Sequence, residues 1–372
     1  MQQSVAPNSP IRPKSSIADM VRYKPAVGGP GNRRMIRLSV NEGALGPSPA
    51  AVAALAEGAA DIHRYPQVDA SGLVQTIGTH FKVDPERVVL GCGSDQLIQY
   101  LCLAFVEPGD EVIYTEYGFL LFPMAAKIAN GVPVRADDDG FTASVDAILG
   151  KVTPRTRVVF LANPNNPTGT MIPDSEVRRL RAGLPDRVLL VLDAAYAEYV
   201  TAPDYTAGIE LVEETRNTVM LRTFSKMFGM AGLRLGWGYC PKEIADTMYS
   251  VNPPYGLNSS ALAAGVAALN DVDFQQRSVV HNDTMMPWVQ DELTKLGLEP
   301  FPTVTNFCIV RFPTDPTKNA EKVKAFLANR DILVRDMVGY GKPEFIRMSI
   351  GTEEEMRITI DAISDFLAGA NA

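Results

Sequence analysis

Between about residue 70 and residue 240, short apolar runs alternate with segments of helical pattern, and this alternation constrains the chain more than any other feature. The spacing predicts helices over 71–81, 96–106, 119–130 and 175–183. Strand-like runs fall at 87–90, 111–114, 132–135, 157–162, 187–192, 218–222 and 235–240. Several runs, such as VVFLA and RVLLVL, have no polar alternation. Strands apolar on both faces must be covered on both faces, which implies a mainly parallel sheet between layers of helices. Such sheets bind ligands at the carboxyl ends of their strands, so the residues following each strand are the ones to inspect.

After Pro253-Pro254 the pattern changes. A long helical stretch runs over about 259–296, followed by strand-like segments at 306–311, 332–335 and 345–350 with helices between and after. This predicts a second, smaller α/β domain. Residues 1–35 are rich in Pro, Gly and Ser and predict an extended arm. The expected division is an arm over 1–40 that contributes to the small domain, a large ligand-binding domain over 41–255 and a small domain over 256–372.

Composition bounds the function. The 372 residues are 46% hydrophobic and 21% charged, enough for a sizeable core and too apolar for wholesale disorder. The net charge of −8 argues against a nucleic-acid binder, which needs a basic footprint. Cys92, Cys102, Cys240 and Cys308 form no CxxC pair, and His63, His80 and His281 lie far apart, so no metal site is expected. The first residues lack an apolar signal core and no run of 18 apolar residues occurs, so the expectation is a cytoplasmic protein with no membrane partner.

Four segments at strand ends carry chemistry. Gly91-Cys92-Gly93-Ser94-Asp95 follows a strand and opens a helix, where backbone N–H groups make an anion site; an ordinary strand-to-helix turn explains it as well. Asn163-Pro164-Asn165-Asn166-Pro167-Thr168-Gly169 follows VVFLA, reads as a turn by composition, and offers the Asn166 amide to a ring hydroxyl. Asp193 follows RVLLVL with Tyr196 three residues on; it could pair with a buried cation, or keep a pyridine ring protonated. Thr223-Phe224-Ser225-Lys226 ends another strand. Lys226 stands among Phe224, Met227, Phe228 and Met230, a setting that lowers an amine pKa and allows attack on an aldehyde. Arg234 in GLRLGWG could bind a phosphate through two parallel hydrogen bonds, or form a structural ion pair.

Taken together, HRYP, GCGSD, PGDEVIYTEYGF, NPNNPTG, LDAAYAEY, RTFSKMFGMAGLRLGW and IRMSIGT keep one order along nearly the whole chain. In this the chain resembles the aspartate-aminotransferase fold superfamily of pyridoxal-phosphate enzymes, and within it the histidinol-phosphate aminotransferases. The resemblance implies the type I fold of pyridoxal-phosphate enzymes and a role for each matching residue. Lys226 would be the Schiff-base lysine. Asp193 would pair with the pyridine nitrogen, and Asn166 and Tyr196 with the 3′ oxygen. Gly93, Ser94, Asp95, Thr223, Ser225 and Arg234 would hold the cofactor phosphate, and Phe119 would stack on its ring. Tyr65 would reach the phosphate across a subunit interface, implying a homodimer. Arg347 and Arg335 would hold anionic groups of the substrates, and Tyr23 would close over them. Three departures stand out: Asn41-Glu42-Gly43-Ala44, a segment near the substrate entrance, where related enzymes often read NENP; Phe119 in place of the more usual Tyr; and a 251–258 segment without the basic residues often present there.

The reaction so implied is transamination of histidinol phosphate with 2-oxoglutarate. An aromatic amino-acid aminotransferase fits the same frame. So does a decarboxylase using the same cofactor, or a non-catalytic binding protein on the same fold. Joint retention of Lys226, Asp193, Asn166, Tyr196 and Arg234 speaks against the last.

Overall fold

The computed structural model describes residues 13–18, 20 and 35–369 of the chain. Its strands are β1 (Ile36–Arg37), β2 (Val88–Gly91), β3 (Glu111–Thr115), β4 (Val132–Ala136), β5 (Thr156–Ala162), β6 (Leu189–Asp193), β7 (Thr218–Thr223), β8 (Gly236–Tyr239), β9 (Glu299–Pro300), β10 (Phe307–Arg311), β11 (Ile332–Leu333), β12 (Arg335–Met337) and β13 (Lys342–Ser349). Seven of them form one sheet in the order β2-β8-β7-β6-β5-β3-β4. The pairs β3–β4, β3–β5, β5–β6 and β6–β7 are parallel, and β8 runs antiparallel to both of its neighbours.

The sheet is apolar on both faces because each face has its own core. Along β6, Leu189 and Val191 join a cluster with Leu97, Leu101 and Phe122, from the helices Ser94–Phe105 and Leu121–Ile128. The alternate residues Leu190 and Leu192 face Val177 and Leu180 of the helix Asp174–Gly183. On β7, Val219 and Leu221 pack on the first face. Met220 packs instead with Trp237, Leu73 and Ala261 on the helices Ser71–Phe81 and Ser259–Asn270. Each fully buried Leu, Ile or Val contributes about 1.5–3 kcal/mol, so period-two alternation between two apolar layers fixes the register.

A second sheet has the order β12-β13-β10-β9, with β10, β13 and β12 antiparallel. Its core joins Val310, Ile346 and Met348 to Met285, Phe326 and Ile363. Leu38, just after β1, is buried in this cluster, and β1 pairs in parallel with β11. The helix Glu353–Ala368 opens on a reciprocal capping box between Thr352 and Glu355.

Among the bounds that differ from expectation, three affect how the fold or the site is built. The helix expected over 259–296 is two helices, Ser259–Asn270 and Val272–Lys295, because Asp271 leaves helical geometry and its Oδ1 caps the N–H of Phe274 at 3.2 Å. The strand expected over 332–335 divides at Val334, since β11 pairs with β1 while β12 joins β13 in the other sheet. The helix expected from 96 starts at Ser94, directly on the glycine turn. Among the described residues no helix is long and apolar enough to cross a membrane.

Candidate active site

The carboxyl ends of β2, β5, β6 and β7 lie along one edge of the large sheet, with Ala162 beside Asp193 and Asp193 beside Leu221 in the ladder. Asp193 is therefore the last strand residue rather than the first after it. Arg234 was expected after a strand, with the others, and in fact precedes β8. It still arrives at the same edge because β8 is antiparallel, its first residue Gly236 pairing with both Gly91 and Thr223. A cavity of about 520 Å³ sits at this edge, and it is lined by Ser94, Asp95, Phe119, Asn166, Asp193, Tyr196, Thr223, Ser225, Lys226, Arg234, Arg335 and Arg347 among others.

One end of the cavity is built for an anion. Gly93 has φ +81°, and a Cβ there would lie 2.3 Å from Nη2 of Arg234. Glycine thus supplies both the left-handed backbone and the close approach. The helix Ser94–Phe105 begins here without a side-chain cap, so its first-turn N–H groups and dipole are available to a negative ligand. Arg234 donates from Nη2 to Asp95 Oδ2 at 3.0 Å and from Nη1 to Ser225 Oγ at 3.3 Å. Ser225 N donates to Thr223 Oγ1 at 3.1 Å, which tightens the turn leading to Lys226. A phosphate meets here a helix N-terminus, hydroxyls and a guanidinium, the donor set suited to it.

At the centre, Lys226 Nζ donates to the carbonyl of Val40 at 3.1 Å and lies 5.7 Å from the ring centroid of Tyr196. Burial, reinforced by the nearby Arg347 charge, lowers its pKa from 10.5 to about 8, so about a tenth of the amine is neutral at pH 7. The Lys226 turn is fixed by backbone contact. Gly229 has φ +68°, and a Cβ on it would come within 1.9 Å of the Gly46 carbonyl. Asp193 is 5% exposed and accepts from Ala195 N at 3.2 Å. Burial raises its carboxyl to about 7, with repulsion from Asp95 adding to the effect. A buried carboxylate of this kind favours a cationic partner above it. Tyr196 accepts at its hydroxyl from Asn41 Nδ2 at 2.8 Å. Burial also raises its pKa, so the phenol remains protonated.

Across the cavity, Arg347 on β13 donates through Nη1 to Asn166 Oδ1 and through Nη2 to the Ser39 carbonyl at 2.9 Å, with its guanidinium 5.3 Å from the Phe307 ring centroid. Arg335 stands opposite Arg347 in the ladder and also lines the cavity. The loop bearing Asn166 holds a cis bond between Asn163 and Pro164. Phe119 packs edge-on against Phe122 at the cavity wall.

One expected member is not brought in by its own chain. Tyr65 is 81% exposed, packs against Tyr255 with the rings tilted by 32° and centroids 4.5 Å apart, and is absent from the cavity lining. Tyr23 lies outside the described residues. Val40, Asn41 and Glu42 also line the cavity; the resemblance puts the 41–44 segment near the substrate entrance but gives none of these residues a role. Asn41 has φ +59°, a conformation in which Asn is enriched, so an Asn in a short loop with glycine was the available signal.

The comparisons agree with this geometry. The family model for aminotransferase class I and II matches residues 33–363. A histidinol-phosphate aminotransferase of Paramagnetospirillum magneticum is 48% identical over 95% of this chain and 98% of its own length. One of Rhodopseudomonas palustris is 47% identical over 96% and 98%. The crystal structure of histidinol-phosphate aminotransferase from Sinorhizobium meliloti in complex with pyridoxal-5′-phosphate superimposes with a TM-score of 0.85 at 26% identity, covering 90% of this chain and 92% of that one. The chain belongs to the aminotransferase class I and II family and, within it, to the histidinol-phosphate aminotransferases.

Proposed function

We propose that this chain is a pyridoxal 5′-phosphate-dependent aminotransferase that moves the amino group of histidinol phosphate to 2-oxoglutarate, giving imidazole-acetol phosphate and glutamate. The observation that carries the reading is the convergence in one cavity of a depressed-pKa lysine, a buried strand-end carboxylate and an arginine beside a helix N-terminus. These residues fit the cofactor by charge and by chemistry. Arg234, Ser94, Asp95, Thr223 and Ser225 hold its phosphate. Asp193 holds a proton on its ring nitrogen, and Asn166 and Tyr196 donate to its ring oxygen. Phe119 covers a ring face. When bound, the cofactor supplies an aldehyde for the amino group and a pyridinium ring that draws electrons from the carbon losing its proton.

Lys226 has two tasks: it anchors the aldehyde, and once released its neutral Nζ takes the proton from the substrate carbon bearing the amino group. Arg347 and Arg335 orient the anionic groups of the two substrates in turn. The enzyme acts in the cytoplasm as a homodimer, and Tyr65 of each subunit completes the phosphate site of the other. An arm over 1–40 that contributes to the small domain, a large cofactor-holding domain over 41–255 and a small domain over 256–372 form the working division of each subunit.

The test uses purified protein loaded with pyridoxal 5′-phosphate. Ping-pong kinetics with histidinol phosphate and 2-oxoglutarate are expected. A higher kcat/KM for phenylalanine than for histidinol phosphate would reject the donor, and sequential kinetics would reject the mechanism. For the shared site, subunits carrying Lys226→Ala and Tyr65→Ala are mixed. Heterodimers then regain one site with both residues intact, so recovered activity is expected, and none means that Tyr65 does not cross the interface.

A further inference from the structure

We infer that Glu42 is a specificity-determining residue whose carboxylate accepts a hydrogen bond from a nitrogen ring of the amino donor; this rests on the proposed function of the site. Among the described residues, the cavity is lined by the cations Lys226, Arg234, Arg335 and Arg347 and by three carboxylates, Glu42, Asp95 and Asp193. Asp95 is engaged by Arg234, and Asp193 lies buried at the strand end. Glu42 is the remaining acid.

Its place is fixed by its neighbours. Asn306 Nδ2 donates to the carbonyls of Asn41 and Glu42 at 3.3 and 3.1 Å. The Val40 carbonyl, two residues earlier, holds the Lys226 amine. Glu42 is thus anchored on the side of the cavity where an amine meets Lys226. The ordinary explanation is its ion pair with Arg37 at 3.2 Å, whose side chains are 35% and 57% exposed. A pair that open is worth little, and it engages Oε1 of a group with two acceptor oxygens. A carboxylate in a cavity that must also accept a dianionic oxo acid opposes that acid, so its presence favours a group that donates a hydrogen. An imidazole donates N–H and carries a positive charge near neutrality, whereas a phenyl ring does neither.

The test compares Glu42→Gln with the parent holoenzyme on histidinol phosphate and on phenylalanine. The ratio of the two kcat/KM values should fall about ten- to hundred-fold, mostly through KM for histidinol phosphate. Using the ratio cancels any common effect on Lys226. The KM for histidinol phosphate should rise with pH through the imidazole range in the parent and lose that dependence in the variant. An unchanged ratio overturns the inference. A second probe separates its failure from that of the donor assignment. 4-Methylimidazole, as an inhibitor competing with whichever amine the enzyme uses, should bind more weakly to Glu42→Gln. Equal inhibition of both proteins overturns the role of Glu42 even if histidinol phosphate proves not to be the donor.

Discussion

Arg347 and Asn166 meet across the cavity, the guanidinium of one donating to the side-chain carbonyl of the other, although Arg347 lies on β13 of the smaller sheet and Asn166 in the loop after β5 of the larger one, 181 positions away. The contact ties the β13 strand to the loop after β5, so the group that orients substrate is itself oriented by a group of the cofactor loop.

Arg347→Ala should therefore lower kcat/KM by about 2–4 kcal/mol, roughly 30- to 1,000-fold, because it removes a largely buried charge that faces an anionic substrate group. Arg347→Lys should recover only part of this, since an ammonium cannot span both Asn166 Oδ1 and the Ser39 carbonyl. Steady-state kinetics of both variants check it, and full activity in the lysine variant would show that charge alone suffices.

Asp193 makes a prediction about pH. Its carboxyl is raised from 3.8 to about 7 in the folded chain, so between those values the folded state binds more protons than the unfolded one. Stability of the cofactor-free protein should then fall as pH rises through that window, and the loss is complete above about 7. Asp193→Asn removes this component. The variant without cofactor should melt higher than the parent at pH 8 and similarly at pH 4, while binding pyridoxal 5′-phosphate more weakly. Melting curves at both pH values, with absorbance titration of the cofactor, check it.

Gly93→Ala should weaken cofactor binding more than it weakens the fold. The added Cβ meets the far end of the Arg234 side chain, which can move away, but in moving it leaves Asp95 and the anion end of the cavity. The left-handed backbone adds about 1 kcal/mol of strain. A Kd for pyridoxal 5′-phosphate that is unchanged in the variant would show that Arg234 does not depend on this approach.

Arg222 and Glu198 form an ion pair at 3.0 Å with side chains 8% and 7% exposed, the arginine lying 4.6 Å from the Phe81 ring centroid. Arg222 precedes Thr223, and Glu198 follows Tyr196, so the pair joins two limbs of the site. Arg222→Met leaves the acid buried without its charge partner and should cost about 3–5 kcal/mol. Arg222→Met with Glu198→Gln should be less destabilised than Arg222→Met alone. Urea denaturation of the three variants measures this.

The strands were legible because a strand buried on both faces has few compositional options, and β3, β5, β6 and β7 fall within two residues of their expected bounds. Lys226, Asp193 and Asn166 were legible as candidates because they lie at or just after apolar strands of a mainly parallel sheet, where ligands bind, and the resemblance supplied their roles and that of Arg234. The break at Asp271 and the division of the 332–335 strand were less so. Both depend on which element is available to pair, and no local pattern carries that information.

By itself, then, the sequence determined the layered α/β architecture, the edge at which chemistry occurs and most of the side chains there, since burial and strand periodicity are local properties of the chain. Only the tertiary structure decided that Arg234 reaches this edge from in front of an antiparallel strand. It also decided that Val40 holds the Lys226 amine, that Asn41 reaches Tyr196, and that Glu42 faces the same cavity. These contacts span 155 and 186 positions for Asn41–Tyr196 and Lys226–Val40. They exist because the segment after β1 is clamped between Ser349 of β13 and Asn306 just before β10 on one side and the Lys226 turn after β7 on the other, a closure that packing imposes and no stretch of sequence encodes alone.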